Sequence, residues 1–140
     1  LGDANQAVPH GPWPDAIGSE RASRAWVWKS IHAAGGRLAF GSDWPVASLE
    51  AGQGLWLAST RVKAEKADDQ RLSIDEALAG YTRWAAYASF DDQRKGTLAP
   101  GMLADIVVLA HDITASQVPS PTGVVVAATI FDGKLVYEQP

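Results

Sequence analysis

The clearest hydrophobic pattern lies in Arg37-Leu38-Ala39-Phe40-Gly41-Ser42-Asp43-Trp44-Pro45-Val46. Bulky apolar residues alternate with small ones, which is the period of a β-strand. Leu38 and Phe40 fall on one face and want cover from helices. Ala39, Gly41 and Asp43 fall on the other, a face with room for a neighbour and a carboxylate at its end. Pro45 cannot donate to a ladder and biases Trp44 toward an extended conformation, so the strand is predicted to stop there. A buried strand that ends in an acid is how α/β proteins place chemistry at the carboxyl edge of a sheet.

Around this stretch the period changes. Leu1 to Gly18 is rich in Gly, Pro, Asn and Asp and reads as loop. His10 lies in it, and both a bystander histidine and a contributor to a site mouth are open to it. Ser19 is a candidate N-cap, with Glu20 favourable in the first turn, for a helix reaching about Ala34. Val27, Ile31 and Ala34 form its apolar stripe, Trp26 and Trp28 widen it, and Gly35-Gly36 ends it. His32, inside this helix, reads as a partly buried structural histidine. Leu55 to Lys66 reads as a second helix, with Arg61 on it as a salt-bridge candidate. Ser73-Ile74-Asp75-Glu76 is a capping box opening a third, on which Leu78, Tyr81 and Ala85 recur at helical spacing and Trp84 and Tyr87 read as core. Gly80 reads as a point of close helix packing.

The chain then turns to strand patterns. Ala104 to Leu109 and Val124 to Phe131 are apolar, β-branched runs, and Asp132-Gly133 is a two-residue hairpin turn leading into Lys134-Leu135-Val136-Tyr137. Val118-Pro119-Ser120-Pro121 cannot continue a strand. A small terminal sheet follows from this, with Asp105 fixing a turn and His111 and Asp112 exposed.

Gly41-Ser42-Asp43-Trp44-Pro45-Val46 resembles the last-strand motif of the amidohydrolase superfamily, in the amidohydrolase family 3 (formamide-deformylase-like) branch. Leu72 to Leu78 with Tyr81-Thr82 and Ala85-Ala86 resembles the helical segment that follows in that branch. Gly96-Thr97-Leu98-Ala99-Pro100-Gly101-Met102-Leu103-Ala104-Asp105 resembles the family's glycine-rich signature. The resemblance implies an α/β chain: the end of a (β/α)8 metal-dependent hydrolase barrel with its following helices over residues 1–95, and part of a composite β-sandwich over residues 96–140. With 140 residues the chain is too short for a whole barrel of about 250, so it reads as a carboxy-terminal piece of a longer enzyme.

Composition narrows the partners. The formal charge of −4 lacks the basic face that nucleic acids require. There is no cysteine, hence no disulfide and no thiolate metal site, which suits the cytoplasm. No apolar run approaches the roughly 20 residues of a membrane span. The expected partners are a small amide-like substrate and, because a cut barrel and a half-sandwich leave open strand edges, further copies of the chain.

The chemistry follows from the resemblance. Hydrolysis of a carbon–nitrogen bond other than a peptide bond needs an activated water, a polarised carbonyl and an acid for the leaving nitrogen. The resemblance assigns Asp43 as metal ligand and general acid/base, with a divalent metal, zinc, in the full-length parent. It offers Trp44 and Arg21 as substrate-binding residues, although the residues themselves favour an ion pair with a neighbouring carboxylate for Arg21. The sequence contains no His-x-His pair, and a catalytic zinc needs about three protein ligands. No tightly bound metal is therefore expected in this piece, which is expected to be inactive alone. The competing reading is a noncatalytic assembly module that keeps only parts of the fold.

Overall fold

The structure, a computed structural model, describes residues 12–60, 69–114, 120 and 122–140. His10 and Arg61, and the carboxy-terminal part of the helix expected to reach Lys66, lie outside the described residues. The described residues hold six helices: α1 (Pro12–Ile17), α2 (Ser19–Ala22), α3 (Trp28–Ala33), α4 (Ala51–Thr60), α5 (Ile74–Tyr81) and α6 (Arg83–Ala88). Three strands follow: β1 (Ile106–Leu109), β2 (Val126–Phe131) and β3 (Lys134–Glu138). None of these helices is long and apolar enough to cross a membrane.

Three helical expectations are corrected. The first loop contains α1. The helix expected from Ser19 to Ala34 is two short helices, α2 and α3, separated by turns in which Trp26 takes a positive φ of 51°. Gly18, not Ser19, is the N-cap of α2. The helix starting at Ile74 breaks at Thr82, whose backbone (φ −123°, ψ −98°) is not helical and whose hydroxyl donates to the Leu78 carbonyl at 2.7 Å.

The ends of these helices show the local rules at work. At α5 the capping box forms as read: Ser73 Oγ accepts from Glu76 N at 3.2 Å, and Glu76 Oε2 accepts from Ser73 N at 2.7 Å. The bond from the Ser73 amide holds the Glu76 carboxyl below its ordinary value. At the end of α3, Gly36 N donates to Ile31 O at 2.9 Å and Gly35 N to His32 O at 2.9 Å. That is a Schellman motif, and Gly35 at φ +89° sits where glycine avoids the Cβ clash. The start of α3 is different. Val27, its N-cap, has no capping side chain. The amide of Ser30 is instead bonded by Gln70 Oε1 at 3.0 Å, while Gln70 Nε2 donates to Ser30 Oγ at 2.8 Å. Gln70 is 8% exposed, so a buried side chain forty positions away does the work of a local cap.

One apolar cluster joins these helices. Trp28, Leu55, Ala58, Leu72, Ala77 and Ile113 are buried in it, with Leu38, Phe40 and Tyr81 packed alongside. The strand expected over Leu38–Ser42 is absent: the segment joins no ladder. A strand exists only with a partner, and among the described residues no strand runs beside it. The Phe40 amide donates instead to the Gly80 carbonyl, at 3.0 Å, at the end of α5. Gly80 therefore serves close approach to Phe40, whose ring occupies the space a Cβ would take, and not to another helix. Tyr87, expected in the core, is 50% exposed, and the Arg37 guanidinium lies 4.2 Å over its ring.

The sheet is antiparallel in the order β1-β2-β3. Its hairpin turns at Asp132-Gly133, both at positive φ, as expected for a type I′ loop. Asp105 Oδ1 accepts from the Asp132 amide at 2.9 Å, which is the turn-fixing role read from the sequence. Gly96, the first glycine of the signature, lies against the α5–α6 corner, where a Cβ would come within 2.7 Å of the Ala86 methyl. His111 and Asp112 are exposed.

Candidate active site

Asp43 is presented by a turn. Segment 37–42 is anchored at Phe40 and emerges from the core at Gly41. Asp43 then takes φ 53°, a conformation that a short polar side chain tolerates better than most. Val46 N donates to Asp43 O at 2.8 Å and closes the turn, which contains a cis Trp44–Pro45 bond. Asp43 and Trp44 are exposed, Trp44 by 63%. The chain returns through Ser48, whose Oγ accepts from Glu50 N at 3.2 Å, and enters α4.

The two arms of this turn border a cavity of about 260 Å³. Gly41 and Ser42 line it on the incoming arm, and Ala47, Ser48, Leu49 and Glu50 on the outgoing one. Its floor is the aromatic corner of the core. Trp28 and Phe40 meet edge to face at 5.4 Å between centroids, and Phe40 and Tyr81 meet at 5.5 Å. The Tyr81 hydroxyl occupies the space a side chain at Gly54 would take, and burial pushes its phenol pKa up.

The structure sets Trp44 beside Asp43 in one turn. Arg21 is exposed on α2 and does not line the cavity, and the ion pair on that stretch is made by Arg24 to Glu20 at 3.3 Å. His32 is a half-buried brace: Nδ1 lies 3.2 Å from Gly36 O, Nε2 lies 3.4 Å from Glu76 Oε1, and the Trp84 ring, tilted by 42°, lies 4.8 Å away between centroids. Among the described residues no three His, Asp or Glu side chains converge as a metal centre requires. Asp43 offers one carboxylate, so these residues do not by themselves fit a metal. Glu50 and the cavity escaped the sequence reading. The only local signal was Ser48-x-Glu50 ahead of a helix, which says nothing about the aromatic floor brought in from elsewhere.

Residues 4–137 match the sequence profile of the amidohydrolase family. The protein LONG AFTER FAR-RED 3 of Arabidopsis thaliana is 35% identical over 126 residues, covering 86% of this chain and 21% of that protein. The N-substituted formamide deformylase of Arthrobacter pascens is 30% identical over 114 residues, covering 79% of this chain and 21% of the enzyme. The crystal structure of an amidohydrolase from Thermotoga maritima superposes with a TM-score of 0.60 at 23% identity, over 81% of this chain and 26% of that one, a likeness of fold. The chain thus spans about a fifth of the length of these two curated relatives. With a match running through nearly all of its length, the chain belongs to the amidohydrolase family.

Proposed function

We propose that this chain is the carboxy-terminal part of a hydrolase that cleaves carbon–nitrogen bonds other than peptide bonds. Residues 1–95 would complete a barrel and residues 96–140 part of a β-sandwich. Family membership supports a hydrolase parent. The observation that carries the site is Asp43, exposed in a closed turn whose arms border a cavity.

In this reading Asp43 takes a proton from the attacking water and delivers it to the leaving nitrogen. The fixed turn holds the carboxylate in place, and Trp44 and Arg21 contact the substrate. The divalent metal implied by the resemblance, zinc, would take Asp43 as one ligand. The described residues supply no set of three, so the remaining ligands would come from elsewhere in the parent. The relative from Arthrobacter pascens is named for N-substituted formamides, which makes a small N-substituted amide the substrate to try first.

The test is Asp43→Asn in the full-length enzyme, assayed on an N-substituted formamide. The amide keeps the shape and cannot carry the proton. A general acid/base is worth about 10²–10⁴ in rate, so a loss of kcat in that range is expected. Unchanged turnover would remove Asp43 from the chemistry.

One observation favours the second reading, an assembly module. The sheet exposes apolar side chains that a partner would cover, among them Val107, Phe131, Leu135 and Val136 at 56–64%. Copies of the chain are proposed to associate through it. Light scattering of the 140-residue chain across a dilution series tests this, and a monomer at every concentration would contradict it.

A further inference from the structure

The cavity beside the Asp43 turn has a chemical preference of its own. Its volume of about 260 Å³ exceeds the roughly 150 Å³ of an engineered apolar cavity that holds benzene. There is room for one ring with a substituent. The floor, formed by Trp28, Phe40, Leu57 and Tyr81, is apolar and partly aromatic. Among the described residues lining it Glu50 is the only charged one, and none is Lys or Arg. Asp43, in the turn between the two arms, has the same sign.

One feature opposes this field. The first turn of α4 lines the cavity through Ala51, Gln53 and Gly54, and a helix amino terminus carries roughly half a positive charge. A full carboxylate outweighs it, so the mouth stays negative. Anionic ligands are disfavoured, and a cation with an apolar body is matched at both ends.

We propose that this cavity binds a small organic ammonium ion, its apolar body against Trp28, Phe40 and Leu57 and its charged head at Glu50. An amine is what hydrolysis of an N-substituted amide releases. That the cavity holds the nitrogen substituent of the substrate rests on the reading of Asp43 given above; the binding itself does not.

The experiment is isothermal titration of the 140-residue chain with cyclohexylmethylamine, cyclohexylmethanol and cyclohexanecarboxylate, three probes of similar shape and different charge. The amine is expected to bind about tenfold more tightly than the alcohol, as a charge-assisted contact requires, and the carboxylate not measurably. Glu50 is exposed, so Glu50→Gln keeps the fold, checked by circular dichroism, and should bring the amine down to the affinity of the alcohol. Ring proton shifts confined to Trp28, Phe40 and Tyr81 would locate the site in the wild-type chain. Equal binding of amine and carboxylate, no binding of any probe, indifference to Glu50→Gln, or shifts elsewhere would each overturn the proposal. Amine binding lost while turnover still depends on Asp43 defeats the cavity assignment alone; binding kept while Asp43→Asn stays active defeats the hydrolase reading alone.

Discussion

The helical region and the terminal sheet are both rich in apolar residues and come out differently. In the helical region, Leu55 and Ala58 of α4, Ala77 of α5 and Leu72 just before α5 are at most 5% exposed. In the sheet every residue of β3 is exposed, and Val107 and Val108, neighbours on β1 and so on opposite faces, are 56% and 44% exposed. A helix satisfies its own backbone and needs one stripe covered. A sheet satisfies its backbone only through neighbours and presents two faces, each needing a layer. The β2–β3 bulge adds to this by leaving Val136 as an extra residue between the Ile130↔Leu135 and Thr129↔Tyr137 pairs. Leu135 and Tyr137 then follow Ile130 and Thr129 to opposite faces, so neither face is polar.

The largest expected effect tests the contrast itself. Leu72 is 3% exposed and Leu135 58%. Leu72→Ala should cost about 2–5 kcal/mol, while Leu135→Ala should stay within about 0.5 kcal/mol. Urea unfolding of both variants measures this, and similar losses would mean that the sheet is covered after all.

Next comes the long-range cap. Gln70→Ala leaves the Ser30 amide without its partner at the start of α3, a loss of about 1–3 kcal/mol. A loss no larger than for an exposed glutamine would show that water replaces the bond.

The capping box of α5 is smaller and depends on pH. Ser73→Ala should cost about 1 kcal/mol near neutrality. The Glu76 carboxyl is held below its ordinary value of 4.5 by the Ser73 amide, so its contribution is present above that value and disappears as pH falls through the folded-state value. The difference between wild type and Glu76→Gln, unlike that for Ser73→Ala, which keeps the amide, should therefore shrink as pH drops below 4.5. A difference that grows in acid would reverse the assigned sign.

The smallest effect is a gain. Phe90 ends α6 at φ 60°, is 94% exposed, and closes a second Schellman motif through Asp91 N to Ala86 O at 2.9 Å. Phe90→Gly removes the cost of a side chain in left-handed backbone and loses little packing. Stabilisation of about 0.5–1 kcal/mol is expected in thermal melts.

The same contrast explains what could be read from sequence. Features closed within a few residues were legible: the capping box at Ser73, the glycine stop after α3, and the Asp132-Gly133 hairpin. The role of Asp105 was legible because its strand opens beside that turn. Features that need a distant partner were not. The alternation in Leu38–Ser42 specifies extended backbone with an inward face, and Leu38 and Phe40 do face the core, but a ladder requires a second strand. Gln70 capping α3, Phe40 filling the space at Gly80, and the aromatic floor under Glu50 each join segments far apart in sequence. Asp43 reads as the end of a strand and stands instead in a turn after a segment that joins no ladder; its surroundings were not legible.

The claim that the helices carry their own core while the sheet awaits cover is tested most directly by amide hydrogen exchange on the dilute 140-residue chain. The Leu72 amide, which donates to the Ala58 carbonyl at 2.9 Å, and that of Ala77 should exchange only through opening of the helical core. Those of Ile130 and Leu135 should exchange at least tenfold faster relative to their unfolded rates. Equal protection of sheet and helices in a monomeric sample would contradict the account.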